Sequence, residues 1–505
     1  MCIDDPTMQT LIPPVHTEEY FQEIANKIIG HDYTFEGPSG KKKLLYADWI
    51  ASGRLYAPIE EILSNQFGPL VGNTHSESSH SGEAMTLAYK MAQQIIKKHV
   101  NANDQDVIIT QGSGMTGAIA KLQRILALHI PEKAKPFYSQ PISERPVVFL
   151  THMEHHSNQT SWLECEVDVV VIPPGDDLLV EPKNLELELV KYKDRKHKIG
   201  SFTACSNVTG IFTPYHQLAH IMHEHGGLCF VDFAASAPYA SMNMHPENPE
   251  ESLDAITFSP HKFLGGPGSS GVLIFNKKLY ANLVPDIPGG GTVSWTNPWG
   301  GHHYFEDIET REDGGTPAFM QTIRAALAVR LKEQIGVEQI EDREAELLDI
   351  AFARLSTVPG LNILAPDQKE RLGVISFYID NLHYNFIVRV LSDHLGIQVR
   401  GGCSCAGTYG HYLLHVDQEY SRKITNKINS GDLSEKPGWV RLSLHPVMTH
   451  EEVHFIAGAI EQIALHPEQW MDQYKYSSHT NEYHPVVENQ MLRNQLTNWF
   501  NLEVD

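Results

Sequence analysis

Lys262 follows an apolar run, AITF, in the stretch FSPHKFLGGPG, with Ser259 and His261 before it and glycines after it. A lysine in that setting is a poor surface residue. In a partly desolvated site its pKa falls, and the amine becomes a nucleophile able to form a Schiff base with an aldehyde. A second reactive stretch is RGGCSCAG, residues 400–407, where Cys403 and Cys405 stand one residue apart among glycines. Spacing alone leaves these thiols open as a metal clip, half of a disulfide, a buried pair or a nucleophile. The metal reading, with paired histidines such as His302 and His303 as further ligands, is weak. Cys-X-Cys supplies two ligands, and no second cysteine pair lies at usual zinc spacing, so no metal site is expected.

These residues need elements to position them. Several short apolar runs end in polar residues. VIIT (107–110) leads into QGSGMTGAI, a Gly-rich turn opening a helix, where free N–H groups and the helix dipole suit a phosphate and Thr116 adds a hydroxyl. VVFL (147–150) leads to His155 and His156, and SFTAC (201–205) to Asn207. LCFV (228–231) ends at Asp232, and AITF (255–258) at Ser259, His261 and Lys262. Each placement alone reads as a cap or a satisfied surface group. Together, at the C-terminal edge of one sheet, they describe a ligand site.

If the aldehyde is pyridoxal phosphate, each of these groups has a task. Asp232 holds the pyridine nitrogen protonated, and His155 stacks on the ring. The Gly114–Thr116 turn, Ser259 and His261 hold the phosphate. Asn207 bonds the ring hydroxyl or a substrate carboxylate.

The chain has 505 residues, 41% of them hydrophobic and 20% charged, as in an ordinary globular protein large enough for more than one domain. A net charge of −23 argues against nucleic-acid or anionic-membrane partners, which need a basic face. The acidic N-terminus, MCIDDPTMQT, lacks an apolar h-region, and no run is long enough to span a bilayer. DVVVIPP is expected to be a buried strand. Six cysteines are too few for a disulfide scaffold, and Cys165, Cys205 and Cys229 sit in or beside apolar runs as small hydrophobes. The expected location is a reducing cytoplasm.

Residues 1–43 read as an N-terminal arm. Residues 44–330 alternate strand and helix patterns, which predicts a largely parallel α/β sheet. Residues 331–475 follow a long helical pattern and form a smaller domain carrying the cysteine loop and Arg441. There Thr449 and Glu452 spell a capping box. A polar insert, about 416–439, separates the loop from the strand holding Arg441, and residues 476–505 form a polar tail.

In the order and spacing of its motifs the chain resembles the class V aminotransferase superfamily, of pyridoxal-phosphate fold type I. Within it the chain is most like the cysteine desulfurases and selenocysteine lyases. The resemblance covers roughly residues 44 to 470. It rests on YADWIASG, GNTHSESSHSG, TQGSGMTGAI, MEHHSN, SNVTGI, FVDFAASAP, FSPHKFLGGPG, GGGTVSW, EDGGTPAFMQTIRAALA, IQVRGGCSCAG and WVRLSLHPVMTHEEV. It implies a large domain with a mostly parallel seven-stranded sheet between helices, plus a smaller C-terminal α+β domain.

It also implies Lys262 as the Schiff-base lysine, Asp232 as the pyridinium partner, and His155 as stacking residue and proton shuttle. Met115 (through its backbone) and Thr116 would hold the phosphate with Ser259 and His261. Thr292 matches the segment that reaches a neighbouring subunit's phosphate, implying a homodimer with shared sites. Arg441 matches the arginine gripping a substrate α-carboxylate, with Asn207 beside it. The family nucleophile, counted from Arg400, falls on Cys405 rather than Cys403.

The implied reaction removes sulfur from L-cysteine through a Cys405 persulfide, giving alanine and passing sulfur to an acceptor, which can be another protein. A thiolate is required, and Gly401, Gly402 and Gly407 are read as giving its loop mobility. One departure stands out. Desulfurases usually carry glutamine three residues after the aspartate, and this chain has Ala235 followed by Ser236. Transamination, β-elimination or racemisation of a small amino acid therefore stays open as the alternative.

Overall fold

The structure is a computed structural model that describes residues 18–74, 77–138, 141, 143–486 and 490–502. His75 and Ser76, within GNTHSESSHSG, lie outside the described residues, as do 1–17 of the N-terminal arm and 487–489 and 503–505 of the tail.

Seven strands form the main sheet: β1 (Asp106–Gln111), β2 (Val147–Thr151), β3 (Asp168–Ile172), β4 (Lys198–Thr203), β5 (Leu228–Asp232), β6 (Ala255–Phe258) and β7 (Gly271–Asn276). Their order is β1-β7-β6-β5-β4-β2-β3. Strand β7 runs antiparallel to both β1 and β6, and every other pairing is parallel. Continuous apolar runs make most of these strands, because a parallel sheet is covered on both faces, while β4, KIGSFT, is buried despite its polar residues. All five residues of β2 and all six of β4 are buried. Two strands differ from expectation. β4 ends at Thr203, two residues before the apolar run does, and β3 is largely half-buried because it forms the sheet edge.

Helices α1 (Met115–Ile125) and α2 (His156–Leu163) start where β1 and β2 leave the sheet. Helix α3 (Phe319–Ile335) is followed by α4 (Val337–Leu355), and the break falls at Gly336, whose φ of +92° only glycine adopts readily.

Beyond α4 lies an antiparallel sheet of β8 (Leu361–Ile363), β9 (Val374–Ile379), β10 (Arg400–Gly402) and β11 (Trp439–Ser443), in the order β8-β9-β11-β10. It carries α5 (Tyr384–Leu395), α6 (Gly407–Leu413), α7 (Gln418–Asn429) and α8 (His450–Leu465). The capping box at α8 is complete, with Thr449 Oγ1 accepting from Glu452 N at 3.0 Å and Glu452 Oε2 accepting from Thr449 N at 3.1 Å. The polar insert contains α7, which buries Ile424.

The N-terminal segment is bonded to the smaller, C-terminal part of the chain. Leu45–Tyr46 pairs in parallel with Ile397–Gln398, and Ser443 N donates to Ala47 O. Glu18 accepts from Arg343 Nη2 and from the His450 amide, both at 2.9 Å.

Candidate active site

Strands β1, β2, β4, β5 and β6 end at the same edge of the sheet, and a cavity of about 270 Å³ opens there. The cysteine loop and β11 of the smaller sheet form its far wall.

Lys262 and Asp232 line its floor. Burial pushes Asp232 up to about 6, against a backbone hydrogen bond from the Ala234 N–H at 2.8 Å and the nearby Lys262 charge. Burial lowers Lys262 to about 8, and the Asp232 charge partly counters that. Desolvation thus brings an acid and a base toward the same range, the usual signature of a functional pair.

One rim of the cavity is built from two loops. Ser259 Oγ accepts the Met115 N–H at 2.9 Å, and His261 Nδ1 sits 2.7 Å from Ser113 O. A Cβ on Gly114 would lie 2.9 Å from His261 Cε1 and 3.0 Å from Ser259 Oγ, so only glycine lets the loops close. Thr116 is exposed at the rim, with its Oγ1 2.7 Å from Ser157 Oγ. A helix start with convergent hydroxyls and an imidazole suits an oxyanion.

His155 caps α2. Its Nδ1 accepts the Ser157 N–H at 3.1 Å, which puts the ring proton on Nε2. Burial, then the Lys262 charge, holds its pKa down to about 4, so the ring facing the cavity is neutral. Glu154 fixes the chain just before it. Its Oε1 accepts from Thr151 N, Thr151 Oγ1 and Thr203 N, and its Oε2 accepts from Asn158 Nδ2 at 2.7 Å.

On the opposite wall Arg441 is buried. It donates Nη2 to Asp48 Oδ1 at 2.7 Å and Nη1 to Asn207 O at 3.2 Å, while its Nε has no partner. Asn207 Nδ2 donates to Ser404 O at 2.7 Å, and its Oδ1 is buried without a partner. Unpaired buried polar atoms are costly in a finished core, so a wall carrying two of them is built for a polar ligand.

Cys405 is exposed and lines the mouth of the cavity, whereas Cys403 is half-buried and does not line it. The loop is held rather than free. Ser404 and Cys405 have φ of +50° and +58°, which costs roughly 1 kcal/mol or more for each residue bearing a Cβ. Gly401 serves close packing, since a Cβ there would lie 2.3 Å from Asn385 Oδ1.

The structure therefore brings Met115, Thr116, His155, Asn207, Asp232, Ser259, His261, Lys262, Cys405 and Arg441 to one cavity. It does not bring Thr292 there. That side chain is buried in its own glycine loop, with Oγ1 donating to Gly289 O at 2.6 Å. Sequence reasoning missed Ile50 and Ala51 as wall residues and Asp48 as the partner of Arg441, although all three lie in the YADWIASG motif. Ala235 lines the cavity, and the Ser236 hydroxyl is buried without a partner. Among the described residues no group of three or more His, Cys, Asp or Glu side chains is arranged to hold a metal, and no helix is long and apolar enough to cross a membrane.

A mostly parallel sheet with a lysine and an aspartate at its strand ends, facing a small domain, defines the type I fold of pyridoxal-phosphate-dependent transferases. Solved structures share it. The apo cysteine desulfurase from Thermococcus onnurineus NA1 superposes with a TM-score of 0.68 at 21% identity, over 88% of this chain and 98% of that one. The cysteine desulfurase CsdA from Escherichia coli, in an S-sulfonic acid form, gives 0.67 at 22% identity, over 90% and 99%. The aminotransferase class-V family model matches residues 45–456, and the chain belongs to that family of enzymes. Curated relatives include a probable cysteine desulfurase of Staphylococcus epidermidis, 28% identical over 371 residues, covering 72% of this chain and 84% of the relative. One from Halalkalibacterium halodurans is 28% identical over 368 residues with the same coverage.

Proposed function

We propose that the protein is a pyridoxal-phosphate-dependent cysteine desulfurase, taking sulfur from L-cysteine onto Cys405 and releasing alanine. The observation that carries this reading is the exposed Cys405 thiol at the mouth of the cavity that holds Lys262, Asp232 and Arg441. The names of the curated relatives support it.

Pyridoxal phosphate, when bound, supplies an electron sink for bond breaking at the substrate α-carbon. Lys262 Nζ would hold its aldehyde, and the lowered pKa suits that amine to take the α-proton once substrate displaces it. Asp232 would hold a proton at the ring nitrogen. His155 would cover the ring face and carry protons through Nε2. The Met115 amide, Thr116, Ser259 and His261 would hold the phosphate, and Asn207 the ring hydroxyl or the substrate carboxylate. Arg441 would grip the substrate α-carboxylate, with Asp48 fixing the fork.

Cys405 would act as thiolate. Its sulfur bonds the substrate sulfur as the substrate Cβ–S bond breaks, and the carbon fragment gains protons to leave as alanine. The persulfide then passes its outer sulfur to an acceptor, which can be a protein. A second copy of the chain would bring Thr292 to the phosphate, making a homodimer with shared sites. Free cysteines throughout the described residues suit a reducing cytoplasm.

Ala235 in the cavity wall, where desulfurases usually carry glutamine, favours a second reading: transamination, β-elimination or racemisation of a small amino acid. Incubation of the holoenzyme with L-cysteine separates the two. Alanine formed in step with sulfide or persulfide supports desulfuration. A 2-oxo acid with pyridoxamine phosphate, or racemised substrate, would overturn it.

A further inference from the structure

The Ala406 N–H bonds the Cys403 carbonyl at 3.0 Å, closing a turn whose two central residues, Ser404 and Cys405, both have positive φ. This is the mirror-image turn that Asn-Gly pairs normally fill. Residues with a Cβ disfavour it, so neighbouring groups have to hold it.

On the side of the main sheet one residue makes two of the holding contacts. His156 donates its backbone N–H to Cys405 O at 2.7 Å, and its ring Nε2 accepts the Gly407 N–H at 3.0 Å. A Cβ on Gly407 would lie 3.2 Å from that Nε2, so the ring packs tightly against the loop backbone. Asn207 Nδ2 and Trp439 Nε1 hold Ser404 through its carbonyl and its hydroxyl. His156 opens α2 immediately after His155, so one helix end sets both the imidazole facing Lys262 and the loop carrying the thiol.

We propose that His156 is a positioning residue for the Cys405 thiol, acting through its bonds to Cys405 O and the Gly407 amide and touching no reacting atom. The inference rests on the desulfurase reading for its kinetic consequence, but not for its effect on the thiol itself.

The test compares His156→Gln with His156→Asn in the holoenzyme. Both keep the backbone N–H. Glutamine places an amide oxygen near the lost Nε2, whereas asparagine ends near Nδ1 and leaves the Gly407 amide without its acceptor. The first readout is the rate of Cys405 alkylation by iodoacetamide without substrate, followed by peptide mass spectrometry. The second is kcat and KM for alanine formation from L-cysteine. The expected result for His156→Asn is alkylation faster by about threefold or more and kcat lower by about tenfold, with KM within about twofold. His156→Gln stays near wild type in both. Equal alkylation rates in the two variants overturn the proposal, whether both match wild type or both depart from it. Cys405→Ser run alongside separates the two ideas: turnover surviving there sinks the desulfurase reading, while the Gln and Asn contrast still decides the role of His156.

Discussion

Arg441 Nη2 lies 2.7 Å from Asp48 Oδ1, and the arginine side chain is 3% exposed, so the charge proposed to grip a substrate carboxylate is already paired in the folded chain. Removing one partner of such a pair strands the other in a low-dielectric wall. Asp48→Ala is expected to destabilise the apoenzyme by about 3 kcal/mol, the low end for a buried pair because Asp48 keeps some exposure. Urea unfolding checks this, and a loss too small to measure would contradict it.

Arg441→Lys keeps the charge and loses the fork. It is expected to raise KM for the amino-acid substrate about tenfold or more, with the cofactor absorbance retained. An unchanged KM would place the carboxylate elsewhere in the cavity.

Lys262 is held down to about 8, from the ordinary 10.5, by burial. Only the neutral amine captures an aldehyde. Uptake of pyridoxal phosphate by the apoenzyme, followed by absorbance, should therefore speed up as pH rises through about 8 and level off above it. A midpoint near 10.5 would contradict the desolvated site.

Glu154 is fully enclosed, and burial pushes it up to about 7 despite its hydrogen-bond donors. Between its ordinary value of 4.5 and about 7 the native state binds a proton that the unfolded state does not. The stability from this group is thus fully present below 4.5 and is lost as pH rises through about 7. Glu154→Gln removes the titration. The wild-type stability minus that of the variant should fall across this window in denaturant unfolding, and a flat difference would count against it.

The sheet was legible because parallel strands covered on both faces demand unbroken apolar runs, and Lys262, Asp232 and Asn207 stood out as polar residues at their ends. Asp48 was not, because its partner lies 393 residues away and only the folded chain brings them together. The cysteine loop was read as mobile from its glycines. In the structure Gly401 packs against Asn385 and Gly407 meets the His156 ring, while Gly402 has φ of +110° and open space where a Cβ would sit. The polar insert gave little apolar signal, yet it folds into α7 around one buried isoleucine. The second imidazole of the His155–His156 pair carried no signal of its own, since its partner is a backbone amide.

The sulfur-accepting thiol is tested most directly by mass spectrometry of the holoenzyme after incubation with L-cysteine without added thiol, in wild type, Cys403→Ser and Cys405→Ser. The expected result is one added sulfur on the Cys405 peptide and a matching yield of alanine in wild type and Cys403→Ser, with both absent in Cys405→Ser. Alanine formed at the wild-type rate by Cys405→Ser, or the added sulfur found on Cys403, would contradict it.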